Sequence, residues 1–314
     1  MDELVSILIP VYNRKNFIAE CIESALNQSY ENIEIIISDN CSTDGTWEIC
    51  KEYQKKDSRI RIFRNHRNVG PVLNWINCAE KARGSYSKIL FSDDLLKKVC
   101  VEKMVVPLAR KEIGFTFCSA ELGVDVDNYV VNYHLNGDGE MVSGDYIKLV
   151  LNGGAPVSPG AVMIRTKDLK KNIVLNINTL EKSNYSENGA GPDLMIMLKT
   201  ALDYTHVYYI MESLEFFRIH DSSITIGDQR TQVQKNYMLV IAHYLKNYSG
   251  RFIWSDYVLN RWVGRIRRER IFISIFKHAR ELEAQSLVDF ISIILIVPYS
   301  LWKIFQKKRN FFNN

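Results

Sequence analysis

Residues Val5–Val11 read VSILIPV, a short unbroken apolar run of the kind a strand buried on both faces presents. The period then changes. Phe17, Ile18, Cys21, Ile22, Ala25 and Leu26 recur at helical spacing and define one apolar helix face. Ile33–Ser38 (IEIIIS) returns to a β-rich run, and Ser42-Thr43-Asp44-Gly45 turns the chain into a helix over Thr46–Tyr53. A third strand is expected at Arg59–Phe63, a helix at Val72–Ala82 and a fourth strand at Tyr86–Phe91 (YSKILF). Strand and helix alternating at this spacing predict an α/β fold, a mostly parallel twisted sheet flanked by helices. Beyond it the expected elements are a helix over Lys97–Arg110, a strand at Phe115–Ser119, and a loop-rich polar stretch at Glu121–Gly144. A strand at Ala161–Arg165, a helix at Leu194–Leu202, and strands at Val207–Met211 and Leu214–Ile219 complete the pattern.

The bulk properties narrow the function classes. With 314 residues the chain is long enough for one large domain with an appendage. Hydrophobic residues at 46%, charged residues at 24% and only seven prolines exclude disordered, collagenous and disulfide-scaffold proteins. A net charge of +4 from 40 basic and 36 acidic side chains is too balanced to call for nucleic acid, so no nucleic-acid partner is expected. The six cysteines (Cys21, Cys41, Cys50, Cys78, Cys100, Cys118) include no CxxC pair, which removes a zinc ribbon and favours reduced thiols in a cytosolic setting. Two acids precede the first strand where a secretory leader would carry a basic segment, so no signal peptide is expected there.

Open α/β sheets bind ligands outside the carboxyl ends of their strands. Polar clusters stand at those ends: Tyr12-Asn13-Arg14, Asp39-Asn40 and Ser92-Asp93-Asp94. Neither GxGxxG nor GxxxxGK[ST] occurs, so a diphosphate ligand would need a metal and carboxylates instead of a glycine cradle. Adjacent carboxylates such as Asp93 and Asp94 repel one another, and Mg²⁺ or Mn²⁺ neutralises such a pair. The alternative is a polar turn in which Asp94 caps the next helix.

Four segments in order then carry a resemblance: SILIPVYN (Ser6–Asn13), ISDNCSTDGT (Ile37–Thr46), Asn68-Val69-Gly70 with Asn74, and FSDDL (Phe91–Leu95). Together they resemble the nucleotide-sugar-binding half of family 2 glycosyltransferases, which have the GT-A fold, densely over residues 4–100 and more thinly to about 223. The resemblance implies a nucleotide-diphosphate sugar donor, a divalent metal and transfer to a hydroxyl. It implies that Pro10, Val11, Tyr12 and Asn13 line the base pocket, that Asp39 accepts from a pyrimidine N–H, and that Asn68 and Asn74 belong to the donor site. Asp93 would face ribose or sugar hydroxyls, and Asp94 would ligate the metal. Two positions depart from the family pattern: Asn40 replaces the second acid of the DDGSTD run, and Val11 stands where threonine is common. In the second half, Gly191-Pro192-Asp193 matches the acidic segment that supplies the base of inverting transfer, making Asp193 the candidate base and Glu187 the reserve. Asp193 beside Pro192 also fits an ordinary helix start. Arg218-Ile219-His220, followed by Ser222-Ser223, resembles the segment closing the catalytic domain, which implies that His220 contacts the diphosphate or completes the metal shell and that Arg218 offsets leaving-group charge.

The last ninety residues change character. Arg251–Arg280 holds eight Arg/Lys against two acids, Asp256 and Glu269, and includes the cluster Arg265, Arg267, Arg268, Arg270. Ser286–Phe305 is apolar apart from Ser286, Asp289, Ser292, Ser300 and Lys303, which read as a narrow polar stripe. A spanning helix needs about 20 apolar residues. Asp289 and Pro298 interrupt this run, so an interfacial amphipathic helix on an anionic membrane is expected. The expected organisation is a catalytic domain over 1–222, with a donor half at 1–100 and an acceptor half at 101–222, and a helical, basic, membrane-associating region at 223–314. The expected function is metal-dependent, inverting transfer of a sugar, rhamnose among the choices, from a UDP- or dTDP-sugar. The acceptor would be a lipid-linked (polyprenyl diphosphate) glycan at the cytoplasmic face of the inner membrane, in O-antigen or capsule assembly. A sugar nucleotidyltransferase and a non-catalytic glycan- or nucleotide-binding subunit are the alternatives.

Overall fold

A computed structural model describes residues 3–221, 223, 230–249, 253–255, 257–259, 278–286, 288, 289 and 291–293. The chain divides into two compact units: Met1–Asn176 with Tyr185–Arg230, and Ile177–Asn184 with Thr231–Asn314.

The first unit opens as the periodicity requires. β1 (Val5–Val11), α1 (Ile18–Leu26), β2 (Ile33–Asp39), α2 (Thr46–Lys56), β3 (Ile60–Arg64), α3 (Pro71–Glu80) and β4 (Tyr86–Ile89) alternate strand and helix. Every residue of β1, β2 and β4 is buried, which is why these strands read as continuous apolar runs. α1 turns Ile18, Cys21, Ile22 and Ala25 inward, the face that the spacing marks. Then come β5 (Leu95–Leu96), α4 (Cys100–Val105), β6 (Ile113–Asp125), β7 (Asn128–Asn132), β8 (Gly139–Val142), α5 (Ser143–Leu151), β9 (Val162–Arg165), α6 (Thr166–Asn172), α7 (Pro192–Asp203) and β10 (His206–Arg218). The sheet order is β3-β2-β1-β4-β9-β6-β10-β5, with β7 added to β6 and β8 to β10. β1, β2, β3 and β4 are parallel, as are β6 and β10, whereas β9 runs against both β4 and β6. The fold is therefore the expected mostly parallel α/β sheet.

Several expectations about elements are corrected. The helix at Lys97–Arg110 shrinks to α4 plus a 3₁₀ turn at Pro107–Ala109, because Pro107 has no N–H to continue the ladder and its ring clashes with the preceding turn. The stretch Glu121–Gly144 is not a loop: β6 runs on to Asp125 and pairs with β7 in a hairpin, and β8 and the start of α5 follow. Val130 and Val131 of that hairpin are exposed, so burial could not have patterned them. The two strands expected between Val207 and Ile219 are one, β10, whose register against β6 shifts between Ile210 and Glu215.

The second unit contains α8 (Arg230–Tyr244) and a π-helical turn at Leu245–Ser249. Its polar stripe is inverted relative to expectation. Asp289 and Ser292 are buried, while Val288 and Ile291 are 53% and 44% exposed. The reason is a capping box. The Asp289 carboxylate accepts from the Ser286 and Gln285 N–H groups, and the Ser286 hydroxyl accepts from the Asp289 N–H. Ser292 hydrogen-bonds Ser255 at 2.7 Å. Ser300, Lys303 and the Arg265–Arg270 cluster lie outside the described residues. Among the described residues no helix is long and apolar enough to cross a membrane.

Candidate active site

Three parallel strands deliver the polar clusters to one edge. Pro10 and Val11 are themselves buried in the ladder with β2, opposite Ser38 and Asp39, so only their backbone borders the edge. Tyr12, the next residue, is 41% exposed. Asn13 adopts φ +49°, a conformation asparagine tolerates better than most residues. Its carboxamide oxygen accepts from the Thr43 N–H at 2.9 Å and its own N–H donates to Ser42 Oγ at 2.9 Å. Asn13 therefore ties the loop after β1 to the loop after β2. Asp39 is fully buried at the end of β2. Its Oδ2 accepts from the Ser42 N–H and forms an ion pair with Arg64 Nε, both at 3.1 Å.

The two acids after β4 separate in role. Asp93 Oδ2 takes two donors, Arg14 Nε at 3.1 Å and His220 Nε2 at 3.0 Å. Asp94 is 7% exposed, and its Oδ1 accepts from the Arg218 N–H at 2.9 Å. Burial, and then the neighbouring carboxylates of Asp93 and Glu215, push Asp94 well above the usual carboxylate range. The two acids thus clasp the last residue of β10 and His220 just beyond it. That segment is also held at Phe17, whose ring stacks on His220 at 4.7 Å and lies 5.1 Å from the Arg218 guanidinium. The Arg218 guanidinium pairs with Glu20. The structure therefore brings Asp93, Asp94, Arg218 and His220 together from strands far apart in sequence. Asp94 does close a turn, its N–H donating to the Phe91 carbonyl at 2.9 Å, but its carboxylate holds the Arg218 N–H and not the start of the next helix.

Beneath this cluster lies an ion pair that the sequence did not reveal. Lys88 of β4 and Glu215 of β10 are both fully buried, with Nζ 2.9 Å from Oε2. Lys88 also donates to the Gly160 and Ile89 carbonyls. Burial pushes the Glu215 carboxyl up to about 7 against the pull of Lys88. Lysine inside YSKILF was the available signal, since a lysine in a doubly buried strand demands an acid. Arg14 was similarly marked by its cluster, but its reach to a residue 79 positions on was not legible.

Asn68 is exposed on the loop before α3, and Gly70 at φ +83° supplies the left-handed turn that starts this helix. Asn74 sits behind the loop. It is 3% exposed, accepts from Ser38 Oγ and Asn65 Nδ2 at 2.8 and 3.0 Å, and donates to the Ser38 carbonyl at 2.9 Å. With its bonding used inward, Asn74 braces the loop before α3 against the end of β2. Asp193 occupies the first turn of α7, 7% exposed, and its Oδ1 accepts from the N–H groups of Gly191 and Leu194 at 2.7 and 2.6 Å. Glu187, in a 3₁₀ turn at Tyr185–Glu187, is exposed. All six cysteines are unpaired thiols.

Residues 6–172 match the family model for glycosyl transferase family 2, more than half of the chain. The chain belongs to glycosyl transferase family 2 and is a transferase of the GT-A fold. It is 41% identical over 116 residues, 37% of this chain and 45% of the relative, to an Escherichia coli protein described as UDP-Glc:alpha-D-GlcNAc-diphosphoundecaprenol beta-1,3-glucosyltransferase WfaP. It is 35% identical over 131 residues, 40% of this chain and 52% of the relative, to the putative teichuronic acid biosynthesis glycosyltransferase TuaG of Bacillus subtilis. The match thus spans about half the length of these curated relatives. Among solved structures, S. aureus TarS 1-349 in complex with UDP-GlcNAc superposes with a TM-score of 0.65 at 16% identity, over 90% of this chain and 82% of that one.

Proposed function

We propose that this glycosyltransferase moves a sugar from a uridine- or thymidine-diphosphate donor to a hydroxyl of a polyprenyl diphosphate-linked glycan. Transfer proceeds with inversion, in the assembly of bacterial surface polysaccharide at the cytoplasmic face of the membrane. The observation that carries the donor side is the clasp around Asp93 and Asp94, where Arg14, Arg218 and His220 converge on two carboxylates at the strand ends. Arginine and histidine donors gathered beside an acid pair suit a diphosphate brought in by a divalent ion. The relatives' descriptions support the acceptor side: WfaP acts on a diphosphoundecaprenol-linked sugar, and TuaG serves teichuronic acid.

Among the described residues no three His, Cys, Asp or Glu side chains are grouped to hold an ion alone. Asp94 nevertheless fits Mg²⁺ or Mn²⁺ arriving with the donor, because such ions take one or two carboxylates and complete their shell with phosphate oxygens and water. Its burial against Asp93 leaves a carboxyl that a dication would hold ionised. When bound, the ion supplies positive charge against the departing diphosphate. The chain's own groups do the rest. Tyr12 and Asp39 receive the base, with Asn68 at the rim. Asp93 orients ribose or sugar hydroxyls, and Arg14, Arg218 and His220 offset charge on the phosphates. Asp193 takes the acceptor hydroxyl proton from the face opposite the leaving group.

Binding of UDP-, dTDP- and GDP-sugars with and without Mn²⁺ tests this reading, and no metal-dependent binding of any of them would end it. Asp94→Ala is expected to stay folded and to lose at least about tenfold in Mn²⁺-dependent donor affinity, the scale of a charge-assisted contact. Equal affinity in mutant and wild type would remove Asp94 from the metal's partners. Attachment to the membrane is assigned to the region that begins at Ser286, where Val288 and Ile291 face outward. Val288→Asp with Ile291→Asp is expected to release the protein from anionic vesicles in a sedimentation assay, and undiminished sedimentation would refute the assignment.

A further inference from the structure

The departure at Asn40 has a structural consequence for which nucleobase the site accepts. Asn40 is 2% exposed at the end of β2, and backbone groups determine its carboxamide orientation from both ends. The Val69 N–H, which can only donate, lies 2.9 Å from Oδ1. The Gly70 carbonyl, which can only accept, lies 3.3 Å from Nδ2. Asn65 Nδ2 adds a second donor to Oδ1 at 3.1 Å, and Asn77 Nδ2 donates to Asn65 Oδ1 at 2.9 Å behind it. The Asn40 amide therefore cannot be turned over without opposing like groups.

This orientation is passed on. Asn40 Nδ2 donates to Asn68 at 2.8 Å, so the atom facing it must be the carbonyl Oδ1, and the Gly70 N–H donates to the same oxygen at 2.9 Å. Asn68 is exposed, and its Nδ2 has no partner among the described residues. The amide N–H donors of Asn68 are thereby directed away from the loop. An aspartate at position 40 would reverse the arrangement. Its second oxygen would meet the Asn68 and Gly70 carbonyl oxygens, and turning the Asn68 amide over would set its N–H₂ against the Gly70 N–H, so the Asn68 side chain would leave the loop and its outward donors would no longer be held in place.

Resting on the reading that this edge receives the donor nucleotide, we infer that Asn40 is a specificity-determining residue acting through Asn68. It makes the rim offer N–H donors beside the Asp39 acceptor, and so selects a base that presents a carbonyl next to a ring N–H. Uracil and thymine have that edge. Cytosine, with an amino group and an unprotonated ring nitrogen in the same places, has its inverse. A site built to hydrogen-bond one pattern rejects the other because the mismatch leaves desolvated groups unpaired.

The test compares UDP and CDP binding by calorimetry with Mn²⁺ present. Wild type is expected to favour UDP by at least about tenfold, the value of one well-formed hydrogen bond. Asn40→Asp is expected to reduce that ratio by about tenfold. Asn68→Asp keeps an oxygen for Asn40 Nδ2 and the Gly70 N–H while replacing the outward N–H₂ by oxygen, and it is expected to reduce the ratio likewise. Being at an exposed position, it answers the question if the Asn40 variant does not fold. Equal loss of UDP and CDP in the variants, with the ratio unchanged, would mean that the amide chain merely holds the loop and would overturn the inference. So would a wild type that binds UDP and CDP equally. A wild type that binds neither, nor any nucleotide sugar, would instead overturn the donor-site reading itself.

Discussion

Asp193→Asn is expected to lower turnover by roughly 10²–10⁴, the usual contribution of a general base, with little change in donor affinity. Asparagine keeps the size of the side chain and an oxygen for the Gly191 and Leu194 N–H groups, so the first turn of α7 should survive. What it cannot do is accept the acceptor hydroxyl proton. Steady-state kinetics with a polyprenyl diphosphate-linked acceptor, beside donor titration, separate the outcomes. A loss below about tenfold, outside the range of a general base, would reduce Asp193 to a helix-start residue and bring Glu187 forward. A large fall in donor affinity would place the segment against the diphosphate instead.

Lys88→Met is expected to destabilise the catalytic unit by about 3–5 kcal/mol, the cost of breaking a buried pair. Both side chains are fully buried, and the variant leaves the Glu215 carboxyl without its cation. Glu215 Oε1 already lacks a hydrogen-bond partner among the described residues. Replacing both, Lys88→Met with Glu215→Leu, should recover most of the loss, because two well-packed apolar side chains remove two desolvated charges together. The pH dependence has a definite sign. In the folded protein burial raises Glu215 to about 7, above its ordinary value of 4.5. The folded state therefore binds this proton more tightly than the unfolded chain does. That contribution to stability is full below about pH 4.5 and is lost as pH rises through about 7. Removing Lys88 takes away the pull that opposes the shift, so the loss in Lys88→Met should steepen over neutral pH. Thermal melts of wild type, single and double variants across that range decide it. A single variant as stable as wild type would mean that the pair contributes nothing, and a double variant no better than the single would mean that packing, not charge, carries the cost.

How far the sequence could be read depends on how local each cause is. The alternation of buried runs and amphipathic helices through residue 90 depends on periods of two and 3.6 residues, and β1–β4 with α1–α3 lie where that periodicity puts them. The β6–β7 hairpin escaped because the exposed strand β7 carries tyrosine and valine, so neither burial nor polarity alternates along it, and β8 escaped because it is only four residues long. In the second unit, Ser286 and Asp289 looked like points on a polar stripe. They are the two halves of a capping box, a reading that Ser-x-x-Asp before an apolar run already permitted.

By itself, then, the sequence determined the α/β sheet, the family and the strand ends that carry Tyr12, Asp39, Asp93 and Asp94, since each follows from a run of neighbouring residues. Only the tertiary structure decided that Arg14 and His220 share Asp93, that Arg218 holds Asp94 through its backbone, and that Lys88 finds Glu215 127 residues away. It likewise decided that Asn74 faces inward while Asn40 orients Asn68. Hydrogen bonds and ion pairs act over about 3 Å and are indifferent to separation along the chain. Which polar group meets which is therefore set by the sheet order that brings β4 and β10 to one edge, and periodicity does not encode that order.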